Sequence, residues 1–119
     1  MARILAVDDS ASMRQMVSFT LKGAGHDVVE AVDGVDALAK SQGQKFDLVI
    51  SDVNMPNMDG ITLTAKLREL EAYTFTPILI LTTETSDPRK MEAKKAGATG
   101  WIEKPFDPDH LLSTINKVI

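Results

Sequence analysis

No cysteine occurs in the 119 residues, so disulfides and thiolate metal sites are excluded. Positive charge is in short supply: 13 Lys and Arg stand against 17 Asp and Glu, and the net charge is −4. The chain therefore lacks the overall basic field that carries non-specific nucleic-acid binding. No long apolar run is present. Met1-Ala2-Arg3-Ile4-Leu5-Ala6-Val7 stops at Asp8-Asp9, too short for a signal segment, and nothing else approaches a membrane span. A glycine-rich nucleotide loop is missing too. Gly23-Ala24-Gly25 has no third glycine and does not separate a strand from a helix start, and no Walker A sequence exists. The length leaves no room for a second domain. With 44% apolar residues, the expectation is one soluble cytoplasmic domain spanning residues 1–119, monomeric, with a single core.

Short β-rich runs alternate with helical patterns. Arg3–Val7, Asp27–Ala31, Asp47–Ser51, Pro77–Leu81 and Thr99–Ile102 read as strands. The first, third and fourth are continuous apolar runs, as expected of strands covered on both faces. Met13, Met16, Val17, Thr20, Leu21 and Ala24 recur at helical spacing before Gly25. Val35, Leu38 and Ala39 mark a second helix, and Ile61, Leu63, Ala65, Leu67 and Leu70 a third. Asp87-Pro88 and Asp107-Pro108 each read as an Asp N-cap followed by Pro at the first helical position. The β-α order repeats five times, which predicts an open, doubly wound parallel α/β domain.

Ligands of such sheets bind outside the carboxyl ends of the strands. Those ends carry Asp8, Asp9 and Ser10; Asp52; Thr82, Thr83 and Glu84; and Glu103, Lys104 and Pro105. Asp8, Asp9 and Asp52 are expected to converge. Two like charges about 4 Å apart repel by roughly 4 kcal/mol at an effective dielectric of about 20. Such a cluster raises its pKa values or recruits a cation, and an all-oxygen site suits Mg²⁺. Lys104 adds a second positive centre and Thr82 a hydroxyl. Together these parts read as a phosphoryl-transfer site with Asp52 as nucleophile. Taken singly, each has a structural explanation: Asp-Asp-Ser as a helix cap, Asp52 as a turn residue, Lys104-Pro105 as a solvated loop. Asp52–Asp59 is not a calcium loop, because Asn57 stands where glycine is required. His26 and His110 have no partners at metal spacing and are expected at the surface.

Val7-Asp8-Asp9-Ser10, Asp52-Val53-Asn54-Met55-Pro56 through Asp59-Gly60, Thr82 and Lys104-Pro105-Phe106 resemble the receiver domains of two-component response regulators. Stand-alone chemotaxis members are the most similar in appearance, and the resemblance covers essentially the whole chain. It implies a flavodoxin-like sheet with strand order 2-1-3-4-5. It implies phosphorylation of Asp52 by a sensor histidine kinase, CheA-like for a chemotaxis member. Asp8, Asp9, Asp52 and the backbone carbonyl of Asn54 would bind Mg²⁺, and Lys104 and Thr82 would contact the phosphoryl group. Trp101 would turn inward on phosphorylation and alter the face formed by the fourth helix, fifth strand and fifth helix, where an output protein such as the flagellar switch binds. Asn54 and Glu84 would tune phosphoryl lifetime beside a phosphatase partner. Such a domain catalyses only its own phosphorylation and slow dephosphorylation. The fourth helix carries Arg89, Lys90, Lys94 and Lys95, more basic than in motor-binding members, which leaves a non-flagellar output or a receiver from a longer regulator as alternatives. A phosphohydrolase with an Asp nucleophile is the other class, but it would need an acid where Asn54 stands.

Overall fold

The computed structural model describes all 119 residues. The elements run β1 (Arg3–Val7), α1 (Ala11–Gly23), β2 (Asp27–Ala31), α2 (Gly34–Gly43), β3 (Leu48–Ser51), α3 (Gly60–Arg68), β4 (Ile78–Thr82), α4 (Asp87–Ala96), β5 (Gly100–Glu103) and α5 (Pro108–Val118). One 3₁₀ turn, Glu71–Tyr73, precedes β4 and had no sequence signal of its own. The five strands form one parallel sheet in the order β2-β1-β3-β4-β5. This is the flavodoxin-like architecture, with β1, β3 and β4 as neighbours.

Alternating side chains leave the two faces of the sheet, and both are buried. Ile4 and Ala6 of β1, Leu48 and Ile50 of β3, and Leu79 and Leu81 of β4 pack with Val17 and Leu21 of α1 and Leu111 and Ile115 of α5. Leu5, Val7, Val49 and Ile78 face the other way, onto Ala37 of α2 and Leu63 and Leu67 of α3. A smaller cluster of Val53, Ile61, Ile80 and Ala93 seats α4, with Trp101 against its edge. Burial at about 25 cal/mol per Å² of apolar surface makes these three clusters the main favourable term in folding.

Caps fix where the helices start. The Ser10 hydroxyl accepts the Met13 N–H of α1 at 3.3 Å, and the Asp59 carboxylate accepts the Thr62 N–H of α3 at 2.7 Å. Asp107 caps α5 as expected, accepting the Asp109 N–H. At α4 the expectation is corrected: Ser86 is the extended N-cap residue, and Asp87 lies inside the first turn. The first turn lies at the positive helix end, also a favourable place for an acid. Strand bounds also shift by a residue. Pro77 offers no N–H to the ladder, so β4 starts at Ile78; it runs on to Thr82, which pairs with Glu103 of β5. His26 is half-buried rather than at the surface, because its Nδ1 accepts the Ala2 N–H at 3.1 Å. His110 is exposed.

Candidate phosphoryl-transfer site

The carboxyl edge of the sheet gathers residues that lie far apart in sequence. β1 delivers Asp8, which is 5% exposed. Its backbone N–H continues the ladder to the Ala31 carbonyl, and one carboxylate oxygen accepts the Ser10 N–H at 2.9 Å. β3 delivers Asp52, whose N–H donates to the Val7 carbonyl at 3.0 Å and whose Oδ1 accepts the Val53 N–H at 2.7 Å. β5 delivers Lys104, whose N–H donates to the Thr82 carbonyl at 2.9 Å. The Lys104–Pro105 peptide that follows is cis.

Lys104 bridges the two acids. Its ammonium lies 2.6 Å from Asp8 Oδ2 and 3.1 Å from Asp52 Oδ2. Burial would lower its pKa, but hydrogen bonds and charge from Asp8 and Asp52 hold it above the ordinary lysine value. Asp9 is exposed and adds the third carboxylate; oxygens of Asp8, Asp9 and Asp52 all lie within 4.8 Å of one another. One ammonium against three carboxylates leaves two negative charges unmatched. A hard divalent cation fits that donor set in both charge and chemistry. The Asn54 carbonyl, on the loop after Asp52, accepts no hydrogen bond from the protein.

Thr82 ends β4 next to Lys104, whose N–H its carbonyl accepts. It is fully buried, and its hydroxyl accepts the Glu84 N–H at 3.2 Å. Glu84 is half-buried at the rim. Its carboxyl is held below the ordinary range, first by the Ser86 backbone N–H, with further help from Arg89 and the Asn54 amide. Trp101 stands opposite Ile80 on β5, outside the carboxylate cluster. It is half-buried, its indole N–H is buried without a partner, and the Lys90 ammonium lies 5.9 Å from its ring centroid.

A family model described as a response regulator receiver domain matches residues 4–116. The chain belongs to that receiver family. It is 36% identical over 119 residues to protein PilH of Pseudomonas aeruginosa, covering 100% of this chain and 98% of that one. It is 40% identical over 121 residues to a chemotaxis protein CheY homolog of Campylobacter jejuni, covering 98% and 92%. Among solved structures, the chemotaxis protein CheY4 of Vibrio cholerae superposes with a TM-score of 0.96 at 56% identity, covering 100% and 99%. A response regulator of Burkholderia multivorans gives 0.82 at 49% identity, covering 98% and 94%.

Arg14 and Ser51 were not singled out by the sequence, and Gly60 was named only as the end of a motif, without a role. Arg14 of α1 donates from Nη1 to the Asp8 carbonyl at 2.8 Å and pairs through Nε with Glu30 at 3.1 Å. Ser51 is fully buried and donates to the Asp52 carbonyl at 2.8 Å. Gly60 starts α3 directly behind the phosphoacceptor candidate, where a Cβ would collide with the Asp52 carbonyl. The glycine carries a readable signal, a turn sequence Asn57-Met58-Asp59-Gly60 opening a helix. Arg14 and Ser51 carry none, since a basic residue on a helix and a serine at a strand end are ordinary.

Proposed function

We propose that this receiver domain, residues 1–119, is a phosphoacceptor switch in which Asp52 takes a phosphoryl group from a histidine kinase. One observation carries the reading: Lys104 reaches across from β5 to bridge Asp8 and Asp52 beside an exposed third carboxylate, Asp9. A lone capping acid or turn acid needs no such arrangement.

The chemistry asked of the chain is mostly positioning and electrostatics. An Asp52 carboxylate oxygen attacks the phosphorus; the new O–P bond forms as the P–N bond to the kinase imidazole breaks, and that imidazole leaves with the electron pair. Asp8, Asp9, Asp52 and the Asn54 carbonyl would hold Mg²⁺, which offsets charge on the transferring group when bound. Lys104 stays protonated, because two acids hold it so. It can follow the phosphoryl oxygens as they replace a carboxylate oxygen in its coordination. The Thr82 hydroxyl is an available donor, with only the Glu84 N–H upon it. Asn54 is an amide and cannot serve as general base, so hydrolysis is left slow and a phosphatase becomes a natural partner. Glu84 keeps its charge at the rim.

The partners follow from this reading. A CheA-like kinase supplies the phosphoryl group, and an output protein reads the α4-β5-α5 face, with Trp101 turning inward as the signal. Chemotaxis is the setting we propose, supported by the names of the similar proteins, and the domain would act in the cytoplasm. The flagellar switch is the first candidate for the output. A non-flagellar output is favoured by one feature, the basic stretch Arg89, Lys90, Lys94 and Lys95 on α4.

Incubation with acetyl phosphate, with and without Mg²⁺, tests the proposal by intact mass. A single labile phosphoryl adduct that requires Mg²⁺ and disappears in Asp52→Asn is expected. An adduct undiminished by that substitution, or none on the wild type, overturns it.

A further inference from the structure

The loop between β3 and α3 must present the Asn54 carbonyl to the cluster; Val53, Met55 and Met58 pack inward on the core, but the residues between them that carry and follow this carbonyl do not. Asn54, Pro56 and Asn57 are all exposed. Inside the loop, the only backbone hydrogen bonds are Met58 N–H to the Pro56 carbonyl at 2.7 Å and Gly60 N–H to the Val53 carbonyl at 2.9 Å. What ties its tip to the body comes from another element, the start of α2.

Asn57 sits at φ 69°, the one non-glycine residue in the left-handed region. Asn adopts that region more readily than most side chains. The turn aims its amide at Asp33, and Nδ2 donates to Asp33 Oδ2 at 2.7 Å. Asp33 is itself fixed: it is buried, and its Oδ1 accepts the Asp36 N–H at 2.8 Å as the N-cap of α2. One residue on, the Gly34 N–H donates to the Met58 carbonyl at 3.1 Å. The approach is so close that a Cβ on Gly34 would lie 2.6 Å from that carbonyl oxygen. Two adjacent residues of the α2 start thus grip two adjacent residues of the loop. The Asp33 carboxyl is held below the ordinary range, by the Asp36 N–H first and the Asn57 amide second, as befits a charged acceptor at a helix N-terminus.

We propose that Asp33 and Asn57 form a positioning latch that holds the Asn54 carbonyl where a divalent cation at Asp8, Asp9 and Asp52 is bound. Neither latch residue belongs to the carboxylate cluster; both act through the loop. The proposal rests on the phosphoacceptor reading of that cluster. Residues that orient a metal ligand from outside typically change metal affinity by about tenfold or more when altered.

The two residues permit an exchange that separates positioning from bulk stability. Asn57→Gly keeps the left-handed turn and removes the amide. Asn57→Asp sets two carboxylates face to face. Adding Asp33→Asn to Asn57→Asp restores one amide facing one carboxylate, preserves the net charge and leaves α2 with a good cap. Mg²⁺ affinity measured by titration calorimetry is expected to fall about tenfold in Asn57→Gly and in Asn57→Asp. It should return close to the wild-type value in the double exchange. Urea unfolding in parallel gives the stability of each variant. Variants that lose stability yet bind Mg²⁺ like wild type overturn the latch while leaving the cluster reading intact. A double exchange that folds without recovering affinity also overturns it. A wild-type chain that binds no Mg²⁺ overturns both the latch and the phosphoacceptor reading.

Discussion

Lys104 does two jobs with one ammonium. It pairs with Asp8, which is buried, and it orients the more open Asp52. Removing one partner of a buried ion pair costs roughly 3–5 kcal/mol, because the charge left behind has no counterpart. Asp52 is open enough to regain some water, so Lys104→Met is expected to cost about 2–3 kcal/mol in urea without divalent ions. The pH dependence has a definite sign. Lys104 is raised above its ordinary value in the folded chain. Its contribution is therefore complete below the ordinary lysine range and is lost as pH rises through the raised value. The gap between wild type and Lys104→Met should stay constant from neutral pH into that range, then close above it. A gap that widened with alkali would show that the bridge is not what holds the proton. These strand-end residues were legible because parallel α/β topology brings every strand end to one edge. Arg14 was not legible, since nothing in a helical pattern tells a solvated arginine from one donating to the Asp8 carbonyl.

Elements were legible where chemistry at the ends is strong. Asp107-Pro108 opened α5 as expected, whereas at α4 the same pair shifted by one because Ser86 took the extended cap geometry. The 3₁₀ turn has no pattern in the sequence, although it anchors much of that end of the molecule. Tyr73 is buried with its hydroxyl 2.7 Å from the Ser41 carbonyl and 2.9 Å from that of Gln44. Arg68 clamps the carbonyls of Tyr73, Thr76 and Gly97 through its guanidinium. Both rely on backbone acceptors, which no side-chain pattern can announce. The start of α3 gives a sharper test. A Cβ at Gly60 would collide with the Asp52 carbonyl and lie 3.0 Å from Ser51 Oγ, and neither atom can yield freely. Gly43, at the end of α2, has nothing within 4 Å of the same construction. Gly60→Ala is expected to lose about 3 kcal/mol or more and to weaken Mg²⁺ binding, because α3 and Asp52 must part. Gly43→Ala should be neutral or gain about 0.5–1 kcal/mol. Thermal unfolding of the pair checks this; a Gly60→Ala variant as stable as wild type, or stabilised like Gly43→Ala, would mean that helix propensity and not the close approach governs Gly60.

At the scale of the whole molecule, the apolar runs announced a sheet covered on both faces, and the two large clusters on either side bear that out. The strand order came only with the resemblance, because periodicity shows that strands are buried and not which strands adjoin. Once the order is fixed, the fold forces a conflict: the same sheet edge that assembles the site crowds three carboxylates against one ammonium. Stability and function should therefore trade against each other through Asp9, the exposed member with no side-chain partner of its own. At 4.8 Å, the outer limit of the spacing among the three carboxylates, and an effective dielectric of about 20, a like-charge pair repels by roughly 3.5 kcal/mol, and solvent around Asp9 brings this nearer to about 1 kcal/mol. Asp9→Asn is thus expected to stabilise the metal-free chain by about 1 kcal/mol in urea. Mg²⁺ is expected to reverse the ranking. A ligand that binds only the folded state stabilises it by about 2.7 kcal/mol at 100 times its dissociation constant. Wild type should gain this and Asp9→Asn should gain much less, so their unfolding curves cross as Mg²⁺ is added. A variant less stable than wild type in the absence of metal would show that the crowding is already relieved by other means. Curves that rise together would remove Asp9 from the metal site.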